Sequence, residues 1–213
     1  MRPNLWIYSD RTEQSKTAAE LIIFGAEIFK SSKMIKDLDK IKDKAKLNHP
    51  IGLNIQEFGF EYLIDCIRFL IFFENYMKAE LILKDYCVHS IDSKYKGFEE
   101  LAKMQNKRPI KLKEINKIEK FKIDKTIKSI EHPAILDKTV GIKVLTSSQK
   151  YLSNYEFDNS LLKVILDFNT YRNKLHFQNT IEFQISNEFI SYLRLMNDFV
   201  DKIVNDRIKK NAS

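Results

Sequence analysis

Glycine and proline are scarce, five and four residues in a chain of 213. A sandwich with many tight turns needs more of both, so long helices joined by short connections are expected. Cysteine is nearly absent as well: Cys66 and Cys87 are the only two. That excludes a disulfide-stapled scaffold and suits a reducing compartment. If both belong to one helix, as the pattern predicts, the axial rise sets them roughly 30 Å apart, beyond disulfide reach. No CxxC, HExxH or other ligand spacing occurs, and Cys87-Val88-His89 is the nearest approach to one. Neither a metal nor another cofactor is expected. The N-terminus has no continuous apolar run of signal-peptide length. The one strongly apolar stretch, Ile67 to Leu83, is interrupted by Arg68, Glu74, Lys78 and Glu80, which predicts a buried helix of a cytoplasmic protein and no membrane span.

What is present is ample apolar material. Hydrophobic residues make up 44% of the chain and include fifteen phenylalanines, enough for a full core. Residues 1–16 are polar and mixed, with Trp6 and Tyr8 as anchors. A helical stripe starts at Thr17 (Ala18, Leu21, Ile22, Ile28, Phe29), and Ser31-Ser32 interrupts it. Ile35, Leu38, Ile41 and Ala45 then predict a second helix or a continuation over 33–46. His49-Pro50-Ile51-Gly52 is a stop. From Ile55 to about Tyr86 runs the longest helical pattern, apolar nearly all round from Cys66 to Phe73, the mark of a helix packed on several sides. Within it Arg68 pairs with Asp65 or Glu61, or points outward. Glu74 reads as a satisfied core carboxylate.

Cys87 to Gly97 reads as a loop and Phe98 to Met104 as a short helix. Lys103 to Lys128 then holds ten Lys/Arg against three acids, a net of +7 equal to that of the whole chain, so all the excess positive charge is concentrated there. An apolar stripe (Leu112, Ile115, Ile118, Ile123, Ile127, Ile130) predicts one amphipathic helix with a cationic face, closed by Glu131-His132-Pro133. Such a face attracts a polyanion, although a solvated lysine-rich surface has the same composition. Val140 to Val144 fits a short strand or an extended connection, and Ser147 to Leu152 a turn of helix. A last helix is expected from about Asn187 to Lys210. The whole is expected to be one all-α domain, a bundle of about five to seven helices, with 1–50 as N-terminal helices and 103–154 as a basic insertion.

Residues 158–177 predict a helix capped by Asn159 or Ser160, with Leu161, Leu162, Ile165 and Phe168 at helical spacing. It ends in Tyr171-Arg172-Asn173-Lys174-Leu175-His176. Arg172 and His176 are four residues apart, so they lie only about 40° apart around a helix axis. A permanent cation and a side chain that titrates near neutrality are aimed at one point, which suits a phosphodiester. As a helix ending, the same residues also complement the macrodipole.

Two stretches together resemble the HEPN family. Phe73 to Tyr86, with its acid and its Lys78-Ala79 and leucine pattern, is similar to the second helix of such domains. Arg172-Asn173 followed by His176 is similar to their terminal signature. The resemblance covers about 55–205, with 55–100 and 155–205 as the core. It implies a bundle that pairs two-fold and a metal-independent ribonuclease of toxin, antiphage or abortive-infection systems, with Arg172 and His176 of both copies lining one cleft. Only Asn173, Lys174 and Leu175 separate arginine from histidine, one residue fewer than the common spacing, which turns the imidazole by about 100° on an ideal helix. The chemistry implied is cleavage of RNA, tRNA included. His176 acts as base or acid, Arg172 stabilises phosphorane charge, and Asn173, Lys174 and Tyr171 hold substrate. The shortened motif also fits an inactive subunit that binds RNA, a nucleotide or a partner protein such as an antitoxin.

Overall fold

The computed structural model describes residues 10–39, 60–120, 122–124, 129–174 and 187–211; side chains are described there except at 60–63, 122–124, 129–131, 171, 174, 187 and 208–211. Among the described residues helices dominate, nine of them, with four short strands in two antiparallel pairs. The chain divides into two compact units, one of Met1–Leu21 with Glu74–Glu156, the other of Ile22–Phe73 with Phe157–Ser213. The division falls inside two of the helices.

In the second unit, α1 (Arg11–Lys30) contributes its C-terminal half and α3 (Phe60–Leu83) its N-terminal half. They are joined there by α2 (Lys33–Lys36), α8 (Asn159–Lys174) and α9 (Asn187–Asn211). Phenylalanine makes the core. Phe29 meets Phe69 and Phe72 at centroid distances of 4.8 and 5.9 Å, and Phe69 meets Phe168 edge-on at 5.4 Å. Phe73, Phe157 and Phe199 form a second cluster within 6.1 Å of one another. Such rings each bury a large apolar area and favour tilted and edge contacts.

One charged group lies inside that core. The Asp65 carboxylate is fully buried, accepts the Met34 N–H at 2.8 Å and pairs with Arg68 at 2.7 Å. Of the alternatives for Arg68, Asp65 is therefore its partner. Asp65 closes the first turn of α2, whose cap Ser32 also accepts from Ile35. At the end of α1, Lys30 reaches Asn197 and Asp201 on α9 at 2.6 and 2.8 Å.

In the first unit, α1 begins at Arg11, six residues ahead of the expected Thr17, because Asp10 caps it: its carboxylate accepts the Thr12 N–H at 2.7 Å. The spine α3 stops at Leu83, short of Tyr86, in a Schellman closure, with Tyr86 N–H donating to Leu81 and Asp85 N–H to Ile82. Asp85 holds the left-handed position, φ 60°, where glycine is usual. Its carboxylate compensates by accepting from Gln14 at 2.8 Å and Arg11 at 3.4 Å. The predicted single helix through both cysteines is therefore corrected. Cys66 lies in α3 and Cys87 beyond its end, and both are free and buried.

The expected loop from Cys87 contains β1 (His89–Ile91), paired antiparallel with β4 (Ile135–Thr139). Buried Gln105 acts as a further strand for β1, accepting the Ile91 N–H at 2.9 Å and donating to the His89 carbonyl at 2.8 Å. Cys87, Ile91, Phe98, Leu101, Ile110, Ile115 and Ile135 form a local core around it.

The single basic helix over 103–128 does not form. The segment is α4 (Glu99–Gln105), a turn, α5 (Leu112–Ile118) and β2 (Lys122–Asp124), which pairs with β3 (Ser129–Glu131). Pro109 is the cause: it has no N–H and disfavours helix at Arg108, while Cys87 N–H takes the Ile110 carbonyl at 2.8 Å. Glu114 restarts the helix by accepting the Lys111 N–H at 2.9 Å. His132 lies in a turn after β3, its Nδ1 accepting from Ala134 at 3.1 Å. Residues 140–144 are not a strand: β4 precedes them, and Gly141 leads into α6 (Ile142–Leu145), followed by α7 (Gln149–Leu152). The expected helix over 33–46 is described only to 39, and residues 40–59 and 175–186 lie outside the described part.

Candidate functional site

The site expected at the end of α8 begins with why that helix forms. Asp158, rather than Asn159 or Ser160, is the cap: its carboxylate accepts the Leu161 N–H at 2.7 Å. Leu161, Val164, Ile165 and Phe168 are buried and recur every three or four residues. Arg172 follows Phe168 by four and Ile165 by seven, so the helix turns it onto its core-facing stripe one turn past the last buried ring. The outer flank of α8 is tied to α9 by Lys163, which donates to the Tyr192 hydroxyl at 2.8 Å and lies 3.3 Å from Glu188. Those bonds raise the lysine's affinity for its proton.

Arg172 is half-buried and Asn173 exposed. The guanidinium reaches Asn173 Oδ1 at 3.5 Å, a long and weak contact, and forms no ion pair among the described residues. Tyr171 and Lys174 belong to the last turn of α8, but their side chains lie outside the described part, as does all of His176. Of the five residues expected to build the site, the structure therefore places Arg172 and Asn173 side by side.

One residue of this stretch escaped the sequence reading. Asn169 sits one turn before Arg172 and Asn173 on the same helix, and its Oδ1 is buried with no hydrogen-bond partner among the described residues. Such an atom is uncommon in a folded protein. A polar residue on a flank between Ile165 and Asn173 gives no signal of this in the sequence.

The described histidines and the two cysteines are structural. His89 holds its Nδ1 3.2 and 3.1 Å from the Leu136 and Asp137 carbonyls, so that nitrogen carries the proton, and burial pulls its pKa down. His132 packs on Phe98 at 5.0 Å, and burial lowers its pKa too, against the pull of Glu119 at 3.8 Å. Burial pushes the Cys87 thiol up to about 12 and Cys66 higher, so neither is a thiolate nucleophile near neutrality. Of the four histidines in the chain, these two are thus set aside as acid–base groups. No cluster of three or more His, Cys, Asp or Glu with metal-binding geometry exists among the described residues. No described helix is long and apolar enough to cross a membrane.

No protein-family model matches the chain, and no curated protein or solved structure matches it significantly.

Proposed function

We propose that the chain is a metal-independent endoribonuclease of the HEPN type, acting in a toxin or antiphage defence system as a two-fold dimer. The observation that carries this reading is Arg172. It is a half-buried guanidinium at the end of α8 that forms no ion pair among the described residues and has an exposed amide beside it. A cation partly withdrawn from water and without an ion-pair partner among the described residues suits a phosphate, which a planar guanidinium grips through two parallel N–H bonds.

In the proposed reaction His176 takes the proton of a ribose 2′-hydroxyl, whose oxygen attacks the adjacent phosphorus. Arg172 offsets the charge growing on the phosphoryl oxygens, and a second His176, from the other copy, protonates the departing 5′-oxygen. One imidazole cannot be base and acid in the same step, which is why the reading requires the pair. Asn173, Lys174 and Tyr171 hold the flanking phosphate and base. The shortened Arg172-to-His176 spacing favours one alternative, an inactive subunit that grips RNA or a partner protein in the same place.

Incubation of total RNA with the chain in excess EDTA tests this. Fragments that vanish in both Arg172→Ala and His176→Ala are expected. An intact but shifted RNA band supports the binding subunit, and cleavage retained by His176→Ala overturns the assignment.

A further inference from the structure

The excess positive charge of the chain is organised on the first unit in a way the sequence does not disclose. Between Asp92 and Lys120 there are nine Lys/Arg and five carboxylates. Every one of those carboxylates is engaged locally. Asp92 accepts the Lys94 N–H at 2.9 Å and Glu99 the Gly97 N–H at 2.9 Å. Glu100 pairs with Lys103 at 2.8 Å, Glu114 with Arg108 at 2.6 Å, and Glu119 accepts the Tyr95 hydroxyl at 3.1 Å. Lys111 is turned inward, donating to the Lys84 carbonyl and lying over the Tyr86 ring at 4.0 Å. Six lysines remain: Lys94, Lys96, Lys107, Lys113, Lys117 and Lys120. All are exposed, and their ammonium groups have no ion pair or hydrogen bond among the described residues.

Two contacts gather four of the six. Gly97, at φ +89°, turns the loop so that a Cβ there would lie 3.8 Å from Ile118, and Tyr95 bonds Glu119. The Lys94–Lys96 loop therefore rests against the C-terminal end of α5, beside Lys117 and Lys120. Lys113 and Lys117, four apart on α5, share one face of that helix.

We infer that this surface, the 92–97 loop with the exposed face of α5, binds the phosphate backbone of a nucleic acid without reading its sequence. Lysines are strongly hydrated point charges that suit phosphates spaced along a strand. A lipid surface fits less well. Helices α4 and α5 are seven residues each, and the large apolar groups they expose are Met104 and Ile118, too little for an interfacial helix. The inference needs neither Arg172 nor His176, so it stands or falls apart from the cleavage reading.

The test is fluorescence anisotropy of the full chain with a labelled 2′-O-methyl oligouridylate, which lacks the attacking hydroxyl, over a salt series. The triple variant Lys113→Gln, Lys117→Gln, Lys120→Gln should flatten the dependence of log K on log salt by about two, at about 0.7 per single-strand phosphate contact. Lys16→Gln, Arg194→Gln, Lys202→Gln removes the same charge elsewhere and should leave the slope unchanged. Equal effects of the two variants, no binding by the parent chain, or binding to phosphatidylserine vesicles in place of RNA would each overturn the inference. Cleavage lost in Arg172→Ala with the slope intact would leave it standing.

Discussion

Replacing Asp65 by alanine is the sharpest test of how the second unit is held together. The carboxylate has no contact with water, and its two oxygens serve the Met34 N–H and the Arg68 guanidinium. Truncation leaves that N–H at the start of α2 buried and unpaired, which costs about 1–3 kcal/mol. The Arg68 contact adds less, about 0.5–1 kcal/mol, because that side chain is 34% exposed and water takes over its bonds. Asp65→Ala should therefore lower the unfolding free energy by about 1.5–4 kcal/mol. Asp65→Asn, which keeps an acceptor for Met34, should lose about half of that. Arg68→Met leaves the fully buried carboxylate without its counter-charge and should cost about 3 kcal/mol. Urea unfolding followed by far-UV dichroism measures all three. If Asp65→Asn proved as damaging as Asp65→Ala, the backbone bond to Met34 would not be what the carboxylate contributes, and the reasoning would fail.

Asn169→Leu should stabilise the chain by about 1 kcal/mol, because it removes a buried acceptor that finds no donor among the described residues; a lower melting temperature would refute this. Acid should destabilise the chain through His89 and His132. Each binds its proton less readily folded than unfolded, so between the lowered value and the ordinary pKa of about 6.5 the unfolded chain takes up more protons. Stability should be level above that range and fall as pH drops through it, and His89→Gln should shrink the fall in urea titrations at stepped pH.

The helices were legible wherever apolar periodicity carried them. The stripes of α3, α8 and α9 are plain in the sequence, and their phenylalanines are the core. Local polar groups decided the rest. Asp10 and Asp158 moved two helix starts, since a cap acts through one side-chain oxygen that periodicity does not register. In the basic stretch, isoleucines at near-helical spacing outweighed Pro109 in the reading, whereas in the fold the missing N–H and the long-range bond from Cys87 to Ile110 won. β1 is three residues long and is completed by a glutamine side chain from sixteen residues away, which no local pattern announces. Of the site, the placement of Arg172 followed from helix geometry alone. The burial of the Asn169 Oδ1 depends on tertiary packing and did not.

The left-handed turn at Asp85 reaches beyond the end of one helix. Its carbonyl takes the Leu112 N–H at 2.9 Å, Tyr86 bridges to Lys111, and Cys87 bonds Ile110 at 2.8 Å. The chain thus leaves α3, travels through β1 and α4, and returns to be buttoned at the point of departure. A closure of some two dozen residues costs only modest entropy, and three adjacent main-chain contacts meet it. A protease cut at the exposed Lys107 would then leave two fragments still clasped at the neck, travelling as one particle until denaturant releases them.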